Sequence, residues 1–383
     1  MPATTPLAIE LRNRIDETGG LPFVEFMAAC LYHPRYGYYM TPRERIGKGG
    51  DFFTSSSVNA LFGRLIARQL IQMAELLGGE SFQVVEQGAG EGHLALDILD
   101  TLAIEAPDLY RRLNYTLVEI GSASRERQSR TLAAHAHQVT WRGADEWHIV
   151  SGCFLSNELV DAFPVHVVEK QGGQIREIYV VNGTAGAFSE ELREPSTPML
   201  DKHFHWLGAA PVEGNRAEVN LAAPVWMREV GGRIGRGFVL TIDYGYPAAE
   251  LYGFHRRTGT LLCYRQHQAD DDPYSAVGEK DITSHVDFTA LRQAGEEAGL
   301  TTLWFGEQYR FLLGLGFFEE LLRLQEQCTD EREARALRLT LKNLILPEQG
   351  MGETFKVLVQ GKGIGRPELL CARPIAAIPL PGF

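Results

Sequence analysis

The stretch Phe82-Gln83-Val84-Val85-Glu86-Gln87-Gly88-Ala89-Gly90-Glu91-Gly92-His93-Leu94 runs from an apolar segment into closely spaced glycines. A strand that turns into a helix through glycines lets a ligand approach bare backbone and sets it at a helix N-terminus. Gly88, Gly90 and Gly92 are spaced G-x-G-x-G, whereas the dinucleotide fingerprint G-x-G-x-x-G needs a glycine where His93 stands. Glu91 would also put a negative charge beside a pyrophosphate. A cofactor with an amino-acid head and a sulfonium but no phosphate suits the loop better, which points to S-adenosylmethionine. Glu86, just before the turn, is placed to meet a positive amino group, directly or through water. Glu119 closes the next apolar segment, where a carboxylate accepts hydrogen bonds from ribose hydroxyls in doubly wound nucleotide sites. The glycines alone also read as an ordinary tight turn, and the two acids at strand ends weigh against that.

Downstream, Ser156-Asn157-Glu158-Leu159-Val160-Asp161-Ala162-Phe163-Pro164 follows the apolar Cys153-Phe154-Leu155. Ligands of open α/β sheets lie beyond the carboxyl ends of the strands, so Asn157, Glu158 and Asp161 are expected to face the reaction site. Such a group suits a cationic acceptor like guanidinium. Arginine stays protonated in water. One of its nitrogens attacks a methyl group only when charge is drawn away from it, and carboxylates held against the other N–H groups do that. What remains is in-line positioning of nitrogen, methyl and sulfur. The alternative, with Asp161 capping a helix and Glu158 a solvated loop acid, stays open on these residues.

Asp243-Tyr244-Gly245 ends another apolar segment and reads equally as a structural turn or as a further group at the same crevice. Asp281, His285 and Asp287 lie close together but supply too few ligands at the right spacing for a metal site, so no metal is expected. Asp287 reads as the N-cap of a helix beginning at Phe288. His285 stays open between a packed histidine and a substrate-side base. Neither the G-x-S-x-G of serine hydrolases nor the phosphate-binding G-x-x-x-x-G-K-[ST] is present.

The elements that must position these residues follow from periodicity. Residues 9–17 and 23–31 read as helices, followed by an aromatic, glycine-rich loop to Asp51 and a strongly amphipathic helix over 58–77. After Gly79, apolar segments at 81–86, 115–119, 138–141, 152–155, 237–243, 300–305 and 354–360 alternate with helical patterns. That predicts an α/β fold, a parallel sheet covered on both faces. Residues 164–182 read as a β-hairpin around Gly172-Gly173, and 244–285 as loop.

At 383 residues, with 44% hydrophobic and 22% charged, the chain builds a large core without disulfide or metal support. Lys and Arg number 37 against 49 Asp and Glu, a net charge of −12 that argues against nucleic-acid or anionic-membrane partners. Cys30, Cys153, Cys263, Cys328 and Cys371 are scattered and form no C-x-x-C. Residues 1–20 have no apolar signal segment and include Asp16 and Glu17, and no run is long and apolar enough to span a membrane. The expected location is the cytoplasm.

Several motifs in order carry a resemblance. They are Gly49-Gly50-Asp51-Phe52-Phe53-Thr54-Ser55, Glu86 to Gly92, Ser156-Asn157-Glu158-Leu159 with Asp161-Ala162, Asp243-Tyr244-Gly245, His285-Val286-Asp287-Phe288, and Met351-Gly352-Glu353-Thr354-Phe355-Lys356-Val357. Over roughly residues 20–360 the chain resembles the MidA-like family of S-adenosylmethionine-dependent methyltransferases, which includes the mitochondrial assembly-factor methyltransferase of respiratory complex I. The resemblance implies a class I methyltransferase fold, Rossmann-like, with a mostly parallel seven-stranded sheet whose last strand is antiparallel. It implies methyl transfer to an arginine of a partner protein, with a respiratory-complex subunit as one such partner and S-adenosylhomocysteine as product. By position, Gly88, Gly90 and Glu119 would bind the cofactor, Gly50, Asp51, Phe52 and Thr54 would close over it, and Asp145 would contact adenine. Asn157, Glu158 and Asp161 would line the acceptor site. The family's glycine loop more usually reads G-P-G-R-G, and its N-terminal motif T-S-P-E. Here Ala89 and Glu91 replace the Pro and Arg, and Ser56-Ser57 replace the Pro-Glu.

The expected organisation is a helical N-terminal cap with a cofactor-covering loop over 1–79 and a methyltransferase core over 80–383. Insertions at about 164–235 and 244–285 would form an acceptor-side subdomain. A small-molecule N- or O-methyltransferase and a non-catalytic, cofactor-binding assembly chaperone are the competing functions. The apolar Ile375, Ile378, Leu380 and Phe383 leave open a homodimer edge or a tail packed on its own chain.

Overall fold

Short apolar segments separated by helices build one mostly parallel sheet in the computed structural model, which describes residues 5–41, 60–79, 81–345 and 352–374. The strands are β1 (Phe82–Gln87), β2 (Leu113–Val118), β3 (Val139–Arg142), β4 (Ile149–Asn157), β5 (Ile234–Tyr246), β6 (Thr301–Glu307) and β7 (Phe355–Lys362). Their spatial order is β3-β2-β1-β4-β5-β7-β6. Strands β1 to β5 are mutually parallel, and β7 runs antiparallel between β5 and β6. This is the expected class I methyltransferase topology. The chain works outward from β1 through β2 to β3, then crosses back to β4, so the order reverses between β1 and β4. A reversal of that kind opens a crevice beyond the carboxyl ends of the two strands.

Coverage on both faces explains why the strands read as apolar runs. Val84, Tyr115, Cys153, Phe154, Leu155, Val239 and Leu240 are fully buried. Each large side chain so placed contributes about 1.5–3 kcal/mol relative to exposure. The helix Leu61–Leu77 buries Leu61, Phe62, Leu65, Ile66, Leu70 and Met73 in the same core. The expected organisation instead places this helix in an N-terminal cap over 1–79, whereas it belongs to the same compact unit as the sheet.

Two compact units divide the chain. The parallel sheet belongs to residues 53–159, 228–244 and 295–383, and the second unit gathers residues 1–52, 160–227 and 245–294. In the second unit the helices Pro6–Thr18 and Phe23–Tyr32 pack with an antiparallel five-stranded sheet. The first helix starts at Thr5, whose hydroxyl accepts the Ala8 N–H, and stops at Gly19 with φ 77°. The expected hairpin is there, His166–Gln171 against Gln174–Asn182, turning through Gly172 and Gly173 at φ 60° and 79°. Residues 244–285 are not simply loop. They hold the helix Ala248–Leu251 and a three-stranded sheet of Leu262–Arg265, Gln268–Asp270 and Asp281–Thr283. Strands of three or four residues are too short to show a period in sequence.

No described helix is long and apolar enough to cross a membrane. Gly50, Asp51, Phe52 and Thr54, Ser55 to Ser57, Met351 and the apolar C-terminal residues lie outside the described residues.

Candidate functional site

Strand β1 leaves the sheet at Gln87, and the helix His93–Glu105 begins after five residues. Gly88, Gly90 and Gly92 all hold positive φ, at 81°, 55° and 87°. Side chains strain that backbone, so the turn depends on glycine. Space is restricted as well, because a Cβ on Gly88 would lie 2.9 Å from Leu159 Cδ1. Glu91 has its charge met by Arg127 at 3.6 Å, with the His93 ring 3.7 Å away.

Glu86 is buried, and its Oε2 accepts the Tyr115 hydroxyl at 2.6 Å. Burial pushes its pKa up to about 7, and the Tyr115 hydrogen bond offsets part of that. A carboxyl poised there ionises when a cation arrives beside it. Glu119 follows the end of β2. Its Oε1 accepts the Gly121 N–H at 2.8 Å, and its Oε2 accepts Gln128 Nε2 at 3.1 Å.

At the end of β4, Asn157 is buried and donates through Nδ2 to Glu158 Oε1 at 3.1 Å. Its Oδ1 is buried with no hydrogen-bond partner among the described residues. Glu158 adopts φ 50°, an uncommon conformation for a residue with a side chain, and a strained one that marks functional turns. Two hydrogen bonds hold it: the Glu158 N–H donates to Ile242 O at 2.9 Å, and the Leu159 N–H to Asp243 Oδ2 at 3.1 Å. Asp243 is fully buried, and its Oδ1 accepts the Tyr244 N–H at 3.0 Å. Asp243 thus bonds the turn that follows Asn157, which accords with the structural one of its two readings.

The second unit carries Asp161 and His285. Asp161 is buried within the 3₁₀ turn Val160–Ala162, and its carbonyl accepts the Ser284 N–H at 3.0 Å, next to His285. Around it, Tyr32 donates to Ala162 O at 3.0 Å, and Tyr39 donates to both carboxylate oxygens of Asp281 at 2.9 Å. The two tyrosine rings stack with centroids 5.5 Å apart. Burial, followed by the charges of Asp281 and Asp161, raises both phenols, so they stay neutral donors. His285 packs against the Tyr246 ring at 5.3 Å, and its backbone N–H donates to Thr260 Oγ1. Asp287 caps the helix Phe288–Glu297 as expected, accepting the N–H groups of Thr289 and Ala290 at 2.9 and 3.0 Å.

The structure therefore gathers Glu86, Gly88, Gly90, Gly92, Glu119, Asn157 and Glu158 at the carboxyl ends of β1, β2 and β4. Asp161 and His285 are neighbours of each other in the second unit. Asp145 joins neither group. Its side chain is largely exposed and paired at 2.5 Å with Arg233, which immediately precedes β5 at the amino end of the sheet. Sequence reasoning missed Tyr115, Gln128 and Tyr39, whose partners Glu86, Glu119 and Asp281 lie 29, 9 and 242 residues away. Among the described residues, no group of three or more His, Cys, Asp or Glu could hold a metal ion.

These residues fit S-adenosylmethionine. The side-chain-free turn allows close backbone approach, Glu86 suits an ammonium, Glu119 suits a ribose diol, and the unpartnered Asn157 Oδ1 leaves a buried acceptor.

Comparison with known proteins agrees with this assignment. Residues 65–306, more than half of the chain, match the family model described as S-adenosyl-L-methionine-dependent methyltransferase. A candidate methyl transferase of Burkholderia thailandensis, crystallised with S-adenosyl-homocysteine, is 33% identical with a TM-score of 0.87, over 97% of this chain and 98% of that one. The mitochondrial protein arginine methyltransferase NDUFAF7 homolog of Drosophila melanogaster is 29% identical over 94% of this chain and 85% of its own length. The human mitochondrial NDUFAF7 is 28% identical over 92% and 82%. The expectation of a cytoplasmic location is corrected by these relatives, which are mitochondrial proteins. With its sheet order, its glycine turn and its acids at strand ends, the chain belongs to the S-adenosyl-L-methionine-dependent methyltransferase family.

Proposed function

We propose that this chain transfers methyl groups from S-adenosylmethionine to an arginine side chain of a partner protein. The observation that carries this reading is the Asn157–Glu158 pair, held at the end of β4 in a left-handed turn anchored by the buried Asp243. The relatives named protein arginine methyltransferase support the choice of acceptor.

The bound cofactor supplies an electrophilic methyl group on a sulfonium. The chain's own residues do the rest. Glu86 meets the amino group, the Gly88–Gly92 turn receives the ligand against its backbone, and Glu119 takes the ribose hydroxyls. Glu158 accepts N–H groups of the guanidinium and Asn157 Oδ1 accepts another, so positive charge is drawn from the nitrogen that attacks. Asp161, with Tyr39 and Asp281 near it, and His285 also belong to the acceptor side in this proposal. The insertions at about 164–235 and 244–285 are proposed as the acceptor-selecting part. A subunit of a respiratory complex is the partner that the family resemblance favours.

Intact-mass spectrometry of candidate partner proteins, before and after incubation with the chain and S-adenosylmethionine, tests the proposal. Gain of one or two methyl groups, mapped to arginine, is expected. Glu158→Gln is expected to spare S-adenosylhomocysteine binding while reducing turnover about tenfold or more. Unchanged turnover removes Glu158 from the acceptor site. Methylation of small amines with no protein product replaces the acceptor by a small molecule.

A further inference from the structure

Gln128 lies on the helix Ser122–Thr131, outside every motif noted in the sequence, yet it is fully buried and makes three hydrogen bonds. Its Oε1 accepts the Trp141 indole N–H at 2.9 Å, and its Nε2 donates to Gly90 O at 3.0 Å and Glu119 Oε2 at 3.1 Å. An indole N–H only donates, so Trp141 fixes which end of the amide faces it. Both hydrogens of the other end are then committed, one to the glycine turn and one to the acid at the end of β2. An amide that rotated by half a turn would set its oxygen against a carbonyl and a carboxylate and its NH₂ against the indole.

The consequence falls on Glu119. A carboxylate offers about four acceptor sites on its two oxygens. Gly121 N–H occupies one on Oε1 and Gln128 occupies one on Oε2, which leaves one on each oxygen. Two acceptors side by side in a fixed plane match the two adjacent hydroxyls of a ribose. We propose that Gln128 is a positioning residue, oriented by Trp141, that sets the Glu119 carboxylate to read the ribose diol of the bound nucleoside while tying it to the Gly90 turn. This rests on the cofactor reading above, in which Glu119 meets the ribose.

The test is isothermal calorimetry with two probes, S-adenosylhomocysteine and its 2′-deoxyribose analogue, on the wild type, Gln128→Leu and Trp141→Phe. The wild type is expected to prefer the ribose form by about tenfold or more, the worth of a hydrogen bond to a charged group. In Gln128→Leu the carboxylate is released, and the preference should shrink to a few-fold or less. In Trp141→Phe, which keeps an aromatic ring but removes the indole N–H and leaves the amide able to rotate, it should shrink by an intermediate amount. Thermal unfolding of each variant confirms that it is folded, and Trp141→Phe carries the test alone should Gln128→Leu not fold. A merely structural glutamine would weaken both probes equally and keep the preference, which overturns the proposal. A wild type with no preference between the probes removes Glu119 from the ribose and overturns both readings at once.

Discussion

Replacing Glu86 by glutamine is expected to change the pH dependence of stability in a way that burial alone dictates. Glu86 is buried at the end of β1, and desolvation pushes its pKa from 4.5 up to about 7, with Tyr115 pulling it partly back. In the unfolded chain the group ionises near its ordinary value. Between pH 4.5 and about 7, therefore, the folded protein keeps the proton that the unfolded chain has already lost. The unfolded state binds fewer protons, so stability falls as pH rises through this window and levels off above it. A shift of that size corresponds to about 3 kcal/mol, at about 1.4 kcal/mol per pH unit.

Glutamine cannot ionise, so Glu86→Gln should lose none of this. Its buried NH₂ lacks a second partner and costs about 1–3 kcal/mol at every pH. The informative quantity is thus the change in the difference between the two proteins, not its absolute value. Urea unfolding of ligand-free protein at pH 5, 6, 7 and 8 should show the variant gaining on the wild type by about 2.5 kcal/mol across the series. Parallel curves would refute the argument. Calorimetry adds an independent arm, because an ammonium beside Glu86 requires the ionised form. Wild-type affinity for S-adenosylhomocysteine should then fall below about pH 7, by up to about tenfold per unit, while the variant binds weakly with a flatter profile. A flat wild-type profile would separate Glu86 from the ligand's amino group even if the stability prediction held.

Two further outcomes follow from local geometry. Gly88→Ala places a Cβ 2.9 Å from Leu159 Cδ1 on a backbone at φ 81°, so it should cost about 1–3 kcal/mol of stability and most S-adenosylhomocysteine binding. Calorimetry showing wild-type affinity would make the turn structural only. Glu320 is buried between Arg64, Arg68 and Arg323 at 3.0, 2.7 and 2.6 Å; desolvation raises its pKa, but the hydrogen bonds from these arginines win and hold it below 4.5. Its contribution is present above pH 4.5 and lost as pH falls below it. Glu320→Gln should therefore lower urea stability at pH 7 by about 1–3 kcal/mol, with the gap closing in acid. A gap that persists unchanged at pH 3 would show that charge plays no part.

What could be read before the fold was seen, and what could not, separates along one physical line. Gly88, Gly90 and Gly92 were legible because a backbone with positive φ restricts residue type at its own position, and the strand before them and helix after them are local patterns. Asp287 was legible for the same reason, since a cap bonds groups two and three residues away. Tyr115 and Gln128 were not, nor was the partner of Asp243. Tyr115 reaches Glu86 only because β1 and β2 pair with Val84 opposite Tyr115, a register that no local pattern encodes. Asp243 holds the Glu158–Leu159 turn from 84 residues away. Asp145 illustrates the converse. Its position after a strand argued for a ligand contact, but the loop carries it to Arg233 at the other end of the sheet. Chain position nominates groups for a site, whereas partner geometry decides which of them reach it. In this methyltransferase two acids that the sequence nominates, Glu86 and Glu119, are each oriented by a residue it does not nominate, Tyr115 and Gln128, while the turn that carries Glu158 is held by Asp243, for which the sequence left two readings open. Variants of that second set should therefore separate binding geometry from charge, since each leaves the nominated carboxylate in place and removes only what aims it.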